Sequence, residues 1–185
     1  MNNPSNKNSG RYNRVFVFGL IAIAAISRLL PHPPNVTPIG AIALFGGSKL
    51  RQRILSFFVP FAALLVTDFF LGFHVIMPFV YISFGLTVLM GWRLQSGKNS
   101  ASRVGAYSVA STSLFFVLTN LGVWITSSWY PHTAAGLAEC YLAAIPFYGT
   151  MLVGDLFYVT VLFGLAHYFM TPGLESKTLT VENTI

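Results

Sequence analysis

Charge is what this chain has least of: Asp, Glu, Lys and Arg make up 9% of its 185 residues, against roughly a quarter in an ordinary soluble domain. A water-soluble domain of this size needs a charged shell, so that class is excluded. Cysteine is almost missing as well. The single Cys140 allows no intramolecular disulfide and no CxxC-type metal or redox motif. Equally absent are a GxSxG elbow, an HExxH zinc motif, a P-loop and a Rossmann glycine pattern. The sequence therefore offers no reaction centre. The expectation is a protein that is not an enzyme, carries no cofactor or metal, and does not itself couple ATP hydrolysis to transport.

What is present is apolar: 54% of the residues are hydrophobic, and they fall into stretches long enough to cross a hydrocarbon core of about 30 Å. No linker, low-complexity tract or repeat interrupts residues 14–169, which read as one all-α integral membrane domain. Residues 1–13 and 170–185 read as disordered tails. A polar, basic start followed by an apolar run resembles a secretory signal peptide. Here the run contains Arg28, passes into Pro31-His32-Pro33-Pro34 and is followed by further spans, so it is expected to be a retained first helix.

Six spans are expected: 14–30, a short one at 38–48, then 54–71, 75–92, 104–125 and 144–169. The first stops at the proline cluster, because proline lacks an amide proton and disfavours helix in the residue before it. The second is too short to cross without tilt or thinning of the bilayer. Its existence as a crossing rests on charge. With an even number of spans and a cytoplasmic amino terminus, Lys7, Arg11, Arg14, Lys49, Arg51, Arg53, Arg93, Lys98, Arg103 and Lys177 all lie inside, and only Arg28 lies outside. The net charge of +6 is thus explained by topology. It is not explained by nucleic acid, which calls for a continuous basic face with stacking aromatics.

Ionisable groups within spans are costly in lipid and normally face a bundle interior or an aqueous cavity. Arg28, Asp68 and Asp155 are such groups, and the topology gathers them in the external half. Asn120 and Trp124 lie one helical turn apart on one face of the fifth span. His32, Asn35 and His74 sit on the external connections. These eight residues are the candidate substrate-binding set. Arg28 would hold an anionic group or pair with Asp68 or Asp155; the bland alternative is a structural ion pair retained because its members satisfy one another. The histidines match no zinc spacing. Pro31–Pro38 reads either as a cap over the pocket or as a tight crossover between helices. The apolar, aromatic connection from Trp129 to Cys140 is expected to fold back into the protein as irregular backbone, with Cys140 as a small buried apolar residue. Small residues at Gly19 and Ala22, and at Gly40, Ala43 and Gly47, make faces for close helix approach, read as internal packing ahead of docking on a partner.

The strings SRLLPHPPNVTPIGAIALFGG (27–47), TDFFLGFH (67–74), TNLGVWIT (119–126) with the later Tyr130-Pro131, and GLAECYLAAIPFYGTMLVGDLFY (136–158) resemble an uncharacterised bacterial membrane family described as transport proteins. That family is grouped loosely with the substrate-binding S components of energy-coupling-factor vitamin importers, six-helix proteins with an outward-facing pocket. The resemblance implies an S-component-like fold in the bacterial inner membrane. It also implies uptake of a small, vitamin-like organic solute and a transmembrane coupling subunit with ATPases as partners, besides the lipid bilayer itself. The first-helix alanine motif by which S components dock is matched here only by Gly19, Ala22, Ala24 and Ala25, without strict AxxxA spacing. Two other functions compete: a non-transporting scaffold of an envelope complex, in which the same charges act as structural pairs, and a self-sufficient proton-coupled carrier using Asp68 or Asp155.

Overall fold

A computed structural model of the chain describes residues 19–24, 26–29, 36–50, 52–95 and 100–170. The regular structure in them is helical: α1 (Gly19–Leu29), α2 (Ile39–Lys49), α3 (Arg53–Leu71), α4 (Met77–Gln95), α5 (Ala101–Thr126) and α6 (Ala134–Met170). Apart from Met170, the expected tails at 1–13 and 170–185 lie outside the described residues, as do 14–18, Leu30 and Pro31 to Asn35.

Local chemistry accounts for the ends. The Ser100 hydroxyl accepts a hydrogen bond from the Arg103 amide at 3.3 Å, an N-cap that starts α5 three residues before the expected Val104. Pro78 stands in the first turn of α4, where a missing amide proton costs nothing. Beyond α3, Gly72 adopts φ +94° while its amide bonds the Asp68 carbonyl at 2.9 Å. A residue with a Cβ rarely tolerates that angle, so the helix ends there.

Four helices, α3 to α6, are long and apolar enough to cross a membrane. Their outward surfaces are apolar: Phe58, Leu65, Phe69, Ile82, Val153 and Phe157 are all exposed, Phe69 at 72%. A patch of that kind would be an aggregation liability in water and is the ordinary surface of a protein in lipid. α6 differs from expectation. It begins at Ala134 and runs 37 residues, about 55 Å at 1.5 Å per residue, so much of the connection read as irregular backbone is helix. Thr133 starts it, its hydroxyl accepting from the Gly136 amide at 3.2 Å, an N-cap ahead of the helix-favouring run AAGLAECYLAA.

The second expected span is present as a short helix. α2 has 11 residues, about 16 Å or half a hydrocarbon core, and residues 41–48 are all buried. It lies inside the bundle, touching α3, α4, α5 and α6, with its backbone shielded from lipid. Between helices already in lipid the hydrophobic effect adds little, so close packing must hold such an element. At its crossing with α4, a Cβ on Gly47 would sit 2.9 Å from the Gly91 Cα, and one on Gly91 would sit 2.5 Å from the Leu44 carbonyl oxygen. The face at Gly40, Ala43 and Gly47 is thus used internally. The one at Gly19 and Ala22 is not so used among the described residues: Ala22 is exposed and a Cβ on Gly19 would meet nothing within 4 Å.

Neighbouring contacts fix the helix directions. Ser56 of α3 meets Trp92 of α4 at one end (Nε1 to Oγ, 3.0 Å) and Asp68 meets Tyr81 at the other, so α3 and α4 are antiparallel. α5 and α6 are antiparallel through Thr112 with Asp155 and Asn120 with Cys140. α2 runs with α4: Gln95 bonds the Leu50 carbonyl at 3.2 Å, while Gly40 and Val80 border one cavity at the opposite end. The alternation brings Lys49, Arg53, Arg93 and Arg103 to a single end. There Arg53 lies 5.0 Å from the Trp92 ring centroid and the Arg103 guanidinium donates to the Arg93 carbonyl at 2.9 Å. This basic, aromatic rim is the composition of a membrane–water interface.

Candidate functional site

At the end opposite the basic rim the helices enclose a cavity of about 430 Å³, within the range of small-molecule sites. α2 is the reason for the space. Because this short helix starts at Ile39, the volume beyond its amino terminus is left to the flanking helices. Gly40 in its first turn borders the cavity and keeps room for Asp155, whose Oδ1 would lie 2.7 Å from a Cβ placed there.

Two polar arrangements meet the cavity. In the first, Arg28 on α1 pairs with Asp68 on α3 (Nη2 to Oδ1, 2.8 Å) and donates to Thr67 Oγ1 at 3.0 Å. Tyr81 on α4 donates its hydroxyl to the other carboxylate oxygen at 3.0 Å. Asp68 is 1% exposed and stands behind the arginine, while Arg28 itself borders the cavity. Both oxygens of the acid are therefore engaged by protein, which is what allows a carboxylate to stay buried.

The second arrangement is on α5 and α6. Thr112 donates to Asp155 Oδ2 at 2.7 Å, and among the described residues no cationic side chain lies within ion-pairing distance of Asp155. Asn120 borders the same space. Its amide nitrogen donates to the Phe116 carbonyl at 2.8 Å, and since only the amino group can donate, the carbonyl oxygen is the end left for another donor. Phe84, Phe115, Phe116 and Phe147 supply the apolar wall.

Of the eight residues selected from sequence, Arg28, His74, Asn120 and Asp155 border the cavity. Asp68 joins them through Arg28. Trp124 does not border it: its indole N–H bonds the Pro131 carbonyl at 2.9 Å and its ring meets His132 edge-on, 5.4 Å between centroids, so it holds the α5–α6 turn. His32 and Asn35 lie outside the described residues. Cys140 is buried, its Sγ 3.5 Å from the Asn120 carbonyl. No group of three His, Cys, Asp or Glu among the described residues is placed to hold a metal ion.

Sequence reasoning passed over the hydroxyls. Thr67, Tyr81 and Thr112 hold the two acids, and Thr87, Ser111 and Thr119 border the cavity. A signal was available in α5, where Ser108, Ser111, Thr112 and Thr119 recur at spacings of three, four and seven, one polar stripe along a helix of apolar residues. No curated protein and no solved structure matches this chain. Residues 8–175 match the family of unknown function DUF6580, and the chain belongs to that family.

Proposed function

We propose that this chain is the substrate-capturing component of an uptake system for a small organic solute, set in the bacterial inner membrane with its basic rim in the cytoplasm and its cavity facing outward. The observation that carries this reading is the cavity at the pole opposite Lys49, Arg53, Arg93 and Arg103. By the positive-inside rule the pole away from that basic cluster is external. On this reading α1 and α2 complete six crossings with the four long helices. Import against a gradient calls for a partner, on this reading a coupling subunit with ATPases, or for an ion gradient, because the chain carries no nucleotide-binding loop of its own.

The Arg28–Asp68 pair serves the scaffold reading equally well, since it satisfies itself. Asp155 and Asn120 do not: among the described residues, an acid with no counter-charge and an amide oxygen with no donor, both on a cavity wall, suit a ligand better than a strut. The test is a thermal-shift screen of the detergent-purified protein against vitamins, cofactors and other small solutes, with Thr119→Trp as the comparison, because an indole there intrudes into the cavity. A compound that stabilises the native protein and not Thr119→Trp supports solute capture. Compounds that shift both proteins alike, or a complete panel that shifts neither, reject it.

A further inference from the structure

The charges on the cavity wall do not cancel. Arg28 is the cationic side chain bordering it and is already committed to Asp68 at 2.8 Å. Asp155 is the acidic side chain bordering it, and it accepts from the neutral Thr112 hydroxyl. Among the described residues, with His74 counted as neutral, the formal balance of the wall is thus one negative charge without a protein counter-charge, in a low-dielectric setting where such a group calls for a partner. The same cavity is bordered by the rings of Phe115, Phe116 and Phe147 and, eight residues along α5 from Thr112 and so about 12 Å further up the helix, by the Asn120 side-chain oxygen, an acceptor awaiting a donor. Aromatic faces attract cations through their quadrupole, more strongly once water is excluded.

Resting on the solute-capture reading above, we propose that the solute is an organic cation, a protonated or quaternary nitrogen on an apolar body, with Asp155 as its counter-charge. The carboxylate takes the charge, the phenylalanine wall takes the apolar part, and Asn120 takes a donor at the far end of that body where the solute carries one. Organic anions are disfavoured twice, because Asp155 repels them and because the charge of Arg28 is already balanced by Asp68, which leaves the pair no net positive charge to offer.

The test uses the full chain in detergent with a fluorescent dimethylaminostyryl-pyridinium dye as the cationic probe, competed by benzyltrimethylammonium, by neutral benzyl alcohol and by benzoate. Saturable dye binding is expected, displaced by benzyltrimethylammonium and not by benzoate. Asp155→Asn should weaken the dye by about thirtyfold or more, the lower edge of what losing one partner of a buried charge pair costs, while its gel-filtration profile stays that of the native protein. Undiminished dye binding by Asp155→Asn overturns the assignment. If Asp155→Asn is not recovered folded, the ranking on the native protein decides, and benzoate matching or exceeding benzyltrimethylammonium overturns it. The two readings separate cleanly: an anionic or neutral compound whose binding Thr119→Trp abolishes leaves solute capture standing and removes the cation. A protein that binds neither the dye nor any competitor loses the cation, and it loses solute capture as well when the complete thermal-shift panel also gives no shift.

Discussion

Replacing Arg28 with methionine keeps an unbranched apolar stem and removes the guanidinium. What it leaves behind is Asp68, 1% exposed, with one oxygen still bonded by Tyr81 at 3.0 Å and the other stripped of its 2.8 Å partner. Breaking a buried ion pair from one side costs about 3–5 kcal/mol, because the remaining charge is uncompensated. Polar contacts between membrane helices average nearer 0.6 kcal/mol, since the unfolded chain in lipid also finds partners, so about 2 kcal/mol is the floor. Asp68→Asn keeps the shape and removes the charge, and should cost less. The informative protein is Arg28→Met with Asp68→Asn: no charge is stranded, and the double variant should recover about 2 kcal/mol or more relative to Arg28→Met alone. Reversible unfolding in mixed detergent micelles, titrated with a denaturing detergent, measures all four corners of this cycle. A double variant no more stable than Arg28→Met, or an Arg28→Met loss under about 1 kcal/mol, would refute the argument that the pair stabilises the α1–α3–α4 junction through charge.

Other perturbations address the packing, the topology and the site. Gly91→Ala drives a Cβ against the Leu44 carbonyl and the Gly47 backbone and should lower stability by about 1–3 kcal/mol, the range for overpacking. In the same unfolding assay Gly105→Ala, inside α5 with open space around it, should be neutral or more stable by up to about 1 kcal/mol. In a Cys140→Ala background, Gln52→Cys and Ser102→Cys should react with an impermeant maleimide from one side of the membrane and Ser128→Cys from the other. Labelling of residues 52 and 102 from opposite sides would contradict the shared basic rim. Once a ligand is in hand, Asn120→Ala should weaken it by about tenfold, the loss of one good hydrogen bond. Trp124→Phe should change affinity less than about twofold while loosening the α5–α6 turn, and calorimetry of the two variants side by side would show the reverse ordering if Trp124 contacted the solute.

The membrane class and most helix positions were legible because they follow from one-dimensional costs. An apolar run of sufficient length without charge has few stable alternatives in lipid, so α3, α4 and α5 lie within about three residues of their expected bounds. The gathering of Lys49, Arg53, Arg93 and Arg103 followed from counting crossings. The early start of α6 was hidden because aromatic and apolar residues after Pro131 suit a folded-back loop and a helix equally, and only the Thr133 cap distinguished them. Tertiary structure alone decided which acid takes Arg28: the sequence left Asp68 and Asp155 open, and the choice depends on how each helix is rotated about its axis and how near its neighbours come. The Gly47–Gly91 approach draws α2 into the bundle. With α2 enclosed, Asp155 faces Gly40 and Thr112 while Arg28 meets Asp68. Spacing along a chain records which residues share a face of one helix. It does not record which faces of different helices meet, and that pairing is what leaves one acid paired with Arg28 and the other on the cavity wall with a neutral hydroxyl.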